Sequence, residues 1–150
     1  MASKRYLHCI YADDVRQEIN NKLMIVGMYQ GGMQVMEIPS QLPHLFVVAL
    51  LHSPVEEKIS SLKLTLTWDG KELITTIPPS AIIEQTYESQ EPDSTGVIFQ
   101  LVLAITPFLI DKEARLRVFA TINESEEVFG NSLKISLTSP SLIQTTVGAD

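Results

Sequence analysis

Apolar and polar positions alternate most cleanly over residues 61–68, where Leu62, Leu64, Leu66 and Trp68 are interleaved with Lys63, Thr65 and Thr67. A period of two places the first set on one face of a strand and the second on the other, which predicts a half-exposed β-strand. Asp69-Gly70 follows, a residue pair suited to a two-residue hairpin, and predicts an antiparallel return over residues 71–77. The alternation recurs over residues 113–122, with Ala114, Leu116, Val118, Ala120 and Ile122 facing in and Arg115, Arg117, Phe119 and Thr121 facing out. Residues 96–105 put Phe99, Leu101, Leu103 and Ile105 on one face. Their second face, Ile98, Gln100, Val102 and Ala104, is also mostly apolar. Residues 44–52 are apolar on both faces, which predicts a central strand or one covered on both sides. A last regular strand is expected over residues 133–138.

The N-terminal stretch reads as two strands, residues 6–11 and 22–29, joined by a polar crossover. Gly31-Gly32 then reverses the chain into residues 33–36. Within the crossover, Asp13 or Asp14 is placed to cap one helical turn, which would lay Val15 and Ile19 onto the core and pair the aspartates with Arg16. A weaker alternative makes the two aspartates half of a calcium site, with Asp93 or Asp111 supplying the rest. Pro39 and Pro43 bracket an extended connection. Pro78-Pro79 stops a strand, and Ser80 is expected to cap a short turn through Glu84. Residues 85–95 read as a solvated acidic loop, residues 106–108 as the start of another, and residues 123–126 as a hairpin loop that leaves Glu126-Glu127 in a loop.

Together these signals predict an all-β chain, an antiparallel β-sandwich of immunoglobulin-like or C2-like shape, with a barrel as the alternative. Eight to ten strands are expected, with at most one or two short helical turns. Residues 6–139 form one domain, residues 1–5 a flexible N-terminus, and residues 140–150 a tail. That tail is either frayed or docks Leu142, Ile143 and Val147 on the sheet edge of a neighbouring subunit.

Composition narrows the functional classes. The chain has 150 residues, enough to bury about two-thirds of its unfolded surface in a single core. Only 19% of residues are charged, against an ordinary ~25%, which favours a chain with part of its surface hidden in an assembly. A net charge of −7 argues against nucleic acid and against acidic phospholipid as partners. The seven-residue run 45–51 is too short to cross a bilayer, and no secretory signal is read at the N-terminus, so the expectation is a soluble protein, cytoplasmic where it is made.

No catalytic, cofactor or metal site is read. His8 and Cys9 are adjacent on a strand and point to opposite faces, while His44 and His52 stand about 26 Å apart at ~3.3 Å per residue. Cys9 is read as a core residue. Ser60 and Lys63 share a Ser-x-x-Lys spacing that works on a helix and diverges on a strand. Gly27, Gly31 and Gly32 lack the following Lys-Ser/Thr and the helix that a phosphate loop requires.

The run Asp13-Asp14-Val15-Arg16, Lys22-Leu23, Gly27-Met28-Tyr29 and Pro39-Ser40-Gln41-Leu42-Pro43 resembles a family of small uncharacterised proteins from bacteria and their phages. The resemblance implies one whole-chain domain and a prokaryotic or phage setting, and carries no activity, cofactor or catalytic residue. The reading is therefore a non-enzymatic structural or interaction module that meets protein. Its leading form is a virion component, capsid-decorating or tail-associated. The alternatives are a regulator that occludes a partner through Glu84, Glu88, Glu91, Asp93 and exposed Phe119, or a calcium-linked lipid-binding domain.

Overall fold

A computed structural model describes residues 4–138. The strands β1 (Tyr6–Gln17), β2 (Leu23–Tyr29), β5 (Leu45–Pro54) and β8 (Gly96–Ile105) make a four-stranded sheet in the order β2-β1-β5-β8. A larger sheet runs β3-β12-β10-β6-β7, from β3 (Gly32–Val35), β12 (Leu133–Leu137), β10 (Ala114–Ile122), β6 (Leu62–Trp68) and β7 (Lys71–Thr76), with β11 (Glu126–Phe129) paired to β10. A two-stranded ribbon of β4 (Ser40–Leu42) and β9 (Phe108–Ile110) completes the strands, and one helix, α1 (Ser80–Glu88), lies between β7 and β8. The fold is an all-β sandwich. All strand pairs are antiparallel except β3 with β12.

Period-two alternation builds the core. Leu62, Leu64, Leu66 and Trp68 on β6 stand beside Leu116, Val118, Ala120 and Ile122 on β10, and all eight are buried. Leu7, Cys9 and Tyr11 of β1, Leu45, Val47, Ala49 and Leu51 of β5, and Val97, Phe99, Leu103 and Ile105 of β8 supply the facing layer. Removing this much apolar surface from water is the main stabilising term.

Several expectations are corrected. β1 does not stop at Tyr11; it runs twelve residues to Gln17, so Asp13 and Asp14 are strand residues and cap no helix. Only a three-residue 3₁₀ turn, Ile19–Asn21, follows, and Ile19 is 84% exposed at the tip instead of lying on the core. β1 pairs with β5 only as far as Ala12 but with β2 through Gln17, so the β1–β2 hairpin projects past β5 as an arm. Gly31-Gly32 carries the chain out of that sheet, and β3 joins the other sheet alongside β12.

The proline-bracketed link and the loop at Phe108 are the strands β4 and β9, each preceded by a cis prolyl bond, with Phe108 and Ile110 fully buried. The Ser80 turn is a nine-residue helix that takes in part of the expected acidic loop, and Ser80 makes no side-chain cap. Glu126-Glu127 lies in β11 and not in a loop. Short β4, β9 and β11 raise the strand number to twelve among the described residues. Arg5, assigned to a flexible end, is held with its side chain 7% exposed, donating to Glu126 Oε1 at 2.6 Å, to Ser53 Oγ at 2.9 Å and to the Glu57 carbonyl at 2.6 Å. The tail from 140 onward, with Leu142, Ile143 and Val147, lies outside the described residues.

Candidate interaction surface

The two sheets present unlike outer faces. On the large sheet, the side chains pointing away from the core include Lys63, Arg115, Arg117, Glu127 and Lys134, with threonines between them. This is the half-exposed pattern expected of a solvated face. On the four-stranded sheet the outward positions of β5 are Phe46, Val48, Leu50 and His52, and register sets them against Ala104, Val102, Gln100 and Ile98 of β8. Across the sheet the same positions meet Ala12, Ile10, His8 and Tyr6 of β1, and Met28 of β2 continues the row beyond Ala12. None of these thirteen positions is Lys, Arg, Asp or Glu.

A half-exposed strand normally sets polar residues outward, so a charge-free apolar face is the informative observation. Met28 is 52% exposed, Ile98 52% and Val102 43%. At the centre, Val48 and Ala12 are fully buried although neither belongs to the sandwich core. The patch extends along the arm, where exposed Met24 and Val26 stand across from Arg16 and Asp14. All three histidines are on this side. His52 stacks on Tyr6 with ring centroids 4.2 Å apart, His44 meets Phe46 edge-on at 5.2 Å, and His8 pairs with Leu50. A recess of about 540 Å³ opens at the His52 end, lined by Lys4, Tyr6, Pro54, Glu56 and Ile98 among others.

The arm carries the residues of the aspartate-rich run. Gly27 has φ +70 and sits opposite Asp13, whose carboxylate occupies the space that a Cβ at Gly27 would need. Tyr29 donates its hydroxyl to Asp13, and partial burial together with that bond pushes the phenol up to about 12. Asp14 accepts from Arg16 Nε at 2.9 Å, and that bond holds its carboxyl below the ordinary value. Asp13, Asp14, Arg16, Gly27 and Tyr29 thus brace one hairpin. Asp111 accepts from Trp68 Nε1 at 3.1 Å and does not approach them as a calcium partner. Among the described residues no three His, Cys, Asp or Glu side chains group as metal ligands do.

The remaining expected site residues are dispersed. Glu84 and Glu88 are exposed on α1, and Glu91 and Asp93 are exposed in the turn after it. The helix itself is anchored through Ile83 and through Tyr87, which meets Phe99 edge-on at 5.6 Å and carries Lys58 Nζ 4.0 Å above its ring. Phe119 is half-buried against exposed Phe129 on the outer face of the large sheet, while α1 packs on β8 of the other sheet. The structure does not bring Phe119 and the acidic segment together. Asp69 and Gly70 form the expected hairpin turn with φ 53 and 79, and Asp69 accepts from Lys112 Nζ at 3.0 Å. Burial pushes the Cys9 thiol up to about 12, which suits a core residue and not a nucleophile.

Sequence reasoning did not assemble the apolar face, although its signal was present. The outward sets of residues 44–52 and 96–105 are both apolar, and register decides that they are neighbours.

No curated protein matches the chain. The model of DUF6941, a family of unknown function, matches residues 8–133, from within β1 to the first residue of β12 and so across both sheets. The chain belongs to DUF6941.

Proposed function

We propose that this protein is a non-enzymatic interaction module whose docking element is the outer face of the β2-β1-β5-β8 sheet. The observation that carries this reading is the set of thirteen outward positions without a charged side chain, among which Met28, Val102 and Ile98 are exposed. Covering those thirteen positions removes apolar area from water at ~25 cal/mol per Å² and desolvates no ion. The scattered carboxylates, the buried Cys9 thiol and the bracing roles of Asp13, Asp14 and Asp111 support a binding role over catalysis. In its finer form the proposal is a structural component of a larger assembly, such as a capsid-decorating or tail-associated protein of a phage particle. The low charged fraction and the sandwich architecture favour that form.

A photo-crosslinking residue placed at Val102 is expected to trap protein in the protein's native setting, whereas the same residue at Phe129 traps none. Crosslinks from position 129 alone, or from neither position, contradict the reading. Purified particles of the encoding source should contain the chain if the virion form holds.

One observation favours a second reading. Residues 80–95 contain four exposed acids and no base, which suits mimicry of a polyanion toward a basic partner. Replacing Glu88, Glu91 and Asp93 by Ser separates the two: partner binding persists if the sheet face carries it and is lost if the acidic segment does.

A further inference from the structure

We infer that the occupant of this face is a second copy of the chain, stacked sheet on sheet about a twofold axis. The inference rests on the proposed docking role of the face and adds the identity of the partner. Size is the first argument. Three strands, β1, β5 and β8, at ~4.8 Å spacing and ~3.3 Å for each of the ten residues of β5 outline roughly 14 Å by 33 Å, and the two-stranded arm adds roughly 10 Å by 17 Å, about 600 Å² in all. Two such faces bury about 1,200 Å² together, which exceeds the roughly 1,000 Å² that marks specific association.

Charge is the second argument. A chain of net charge −7 repels its own copy, so contact between two copies is favoured through a surface that adds no unpaired carboxylate. The thirteen outward positions satisfy that condition, and the nearest acidic group along the arm, Asp14, is already paired with Arg16. A membrane surface is less suited, because none of the thirteen positions is a base that could meet anionic headgroups, and the bases at their margin, Lys4 and Arg16, share it with the acids Glu56 and Asp14.

Composition is the third. Aligned sheets pack through interdigitated aliphatic side chains about 10 Å apart, and the inner face of this same sheet already does so. Outward Val48, Val102, Ile98, Ile10 and Leu50 are the same residue types, with Met28 at the margin able to adapt its shape. A twofold arrangement closes the assembly at two copies, since each face is used up by the other.

Sedimentation equilibrium of the full chain tests this with Val102→Glu and Ile98→Glu on the face and Phe129→Glu on the opposite sheet. The wild type is expected near twice the 16.7 kDa of one chain. Each face variant is expected to weaken the dimer by about a hundredfold or more, because a carboxylate would be buried without a partner. Phe129→Glu should leave the dimer intact, and circular dichroism should show the native fold in all three. A wild type of single-chain mass at every concentration, an assembly larger than two, or a dimer indifferent to both face variants would overturn the inference. Binding of a hydrophobic dye separates that failure from failure of the docking role. A single-chain wild type that binds the dye and loses it on Val102→Glu leaves the face free for a different protein. One that binds no dye overturns both.

Discussion

The side-chain amide of Asn131 does the work of a missing strand. Beyond Tyr11, toward the N-terminus, β1 has no β2 beside it, and the backbone of Cys9 would lack partners on that side. Asn131 Oδ1 accepts from the Cys9 N–H at 2.7 Å and Asn131 Nδ2 donates to the Cys9 carbonyl at 2.9 Å, while the Tyr11 hydroxyl donates to the Asn131 carbonyl at 2.8 Å. One residue therefore satisfies both backbone groups of a buried strand position and ties the two sheets together. Asn131→Ala leaves that donor and acceptor unsatisfied, and each such group costs about 1–3 kcal/mol. Urea unfolding should show a loss of about 2–4 kcal/mol with an unchanged denaturant slope; a loss below about 0.5 kcal/mol would mean that water replaces the amide without cost. Nothing local in the sequence announces this role. The partners are 122 residues apart, and an asparagine after a glycine reads only as a turn.

The strands with the strongest alternation, β6 and β10, are legible because each buries one face against a core that spans the whole molecule. β5 and β8 are legible as apolar strands for the same reason. The three-residue strands β4 and β9 are not, since neither contains a full period and the partner of each is remote. β1 is misread for a different cause. Asp13 and Asp14 are poor strand residues that suit a helix cap, and only the β2 hairpin explains them: Tyr29 and Gly27 accommodate Asp13, and Arg16 pairs with Asp14. Gly27→Ala is consequently expected to be among the more damaging changes in the arm. It combines a left-handed φ with overlap on the Asp13 carboxylate, and the cost should exceed about 1–2 kcal/mol. Far-UV circular dichroism and thermal melting check this. Gly70→Ala has the left-handed φ but open space around it, so it should cost less than Gly27→Ala. Equal costs would show that overlap with Asp13 contributes nothing.

At the scale of the molecule, the sandwich has one conventional face and one that looks like a core cut open. The contrast was half visible in sequence, where residues 44–52 and 96–105 are apolar on both sides, and where a low charged fraction suggests covered surface. What a single sequence could not supply is adjacency. Strand order sets β1, β5 and β8 side by side and turns three separately unremarkable outward sets into one continuous patch. The acidic segment and Phe119 are each conspicuous in the sequence alone, yet they lie on different parts of the fold.

Methionine oxidation by peroxide, followed residue by residue by mass spectrometry at low and high protein concentration, tests most directly whether a second copy covers this face. Met24 and Met28 are 46% and 52% exposed on the patch, Met36 at 77% is a free reference, and Met33 at 4% is a core reference. The account predicts that Met28, and to a lesser degree Met24, become protected as concentration rises while Met36 does not, and that Val102→Glu abolishes the protection. Oxidation of Met28 that keeps a constant ratio to Met36 at every concentration would contradict it.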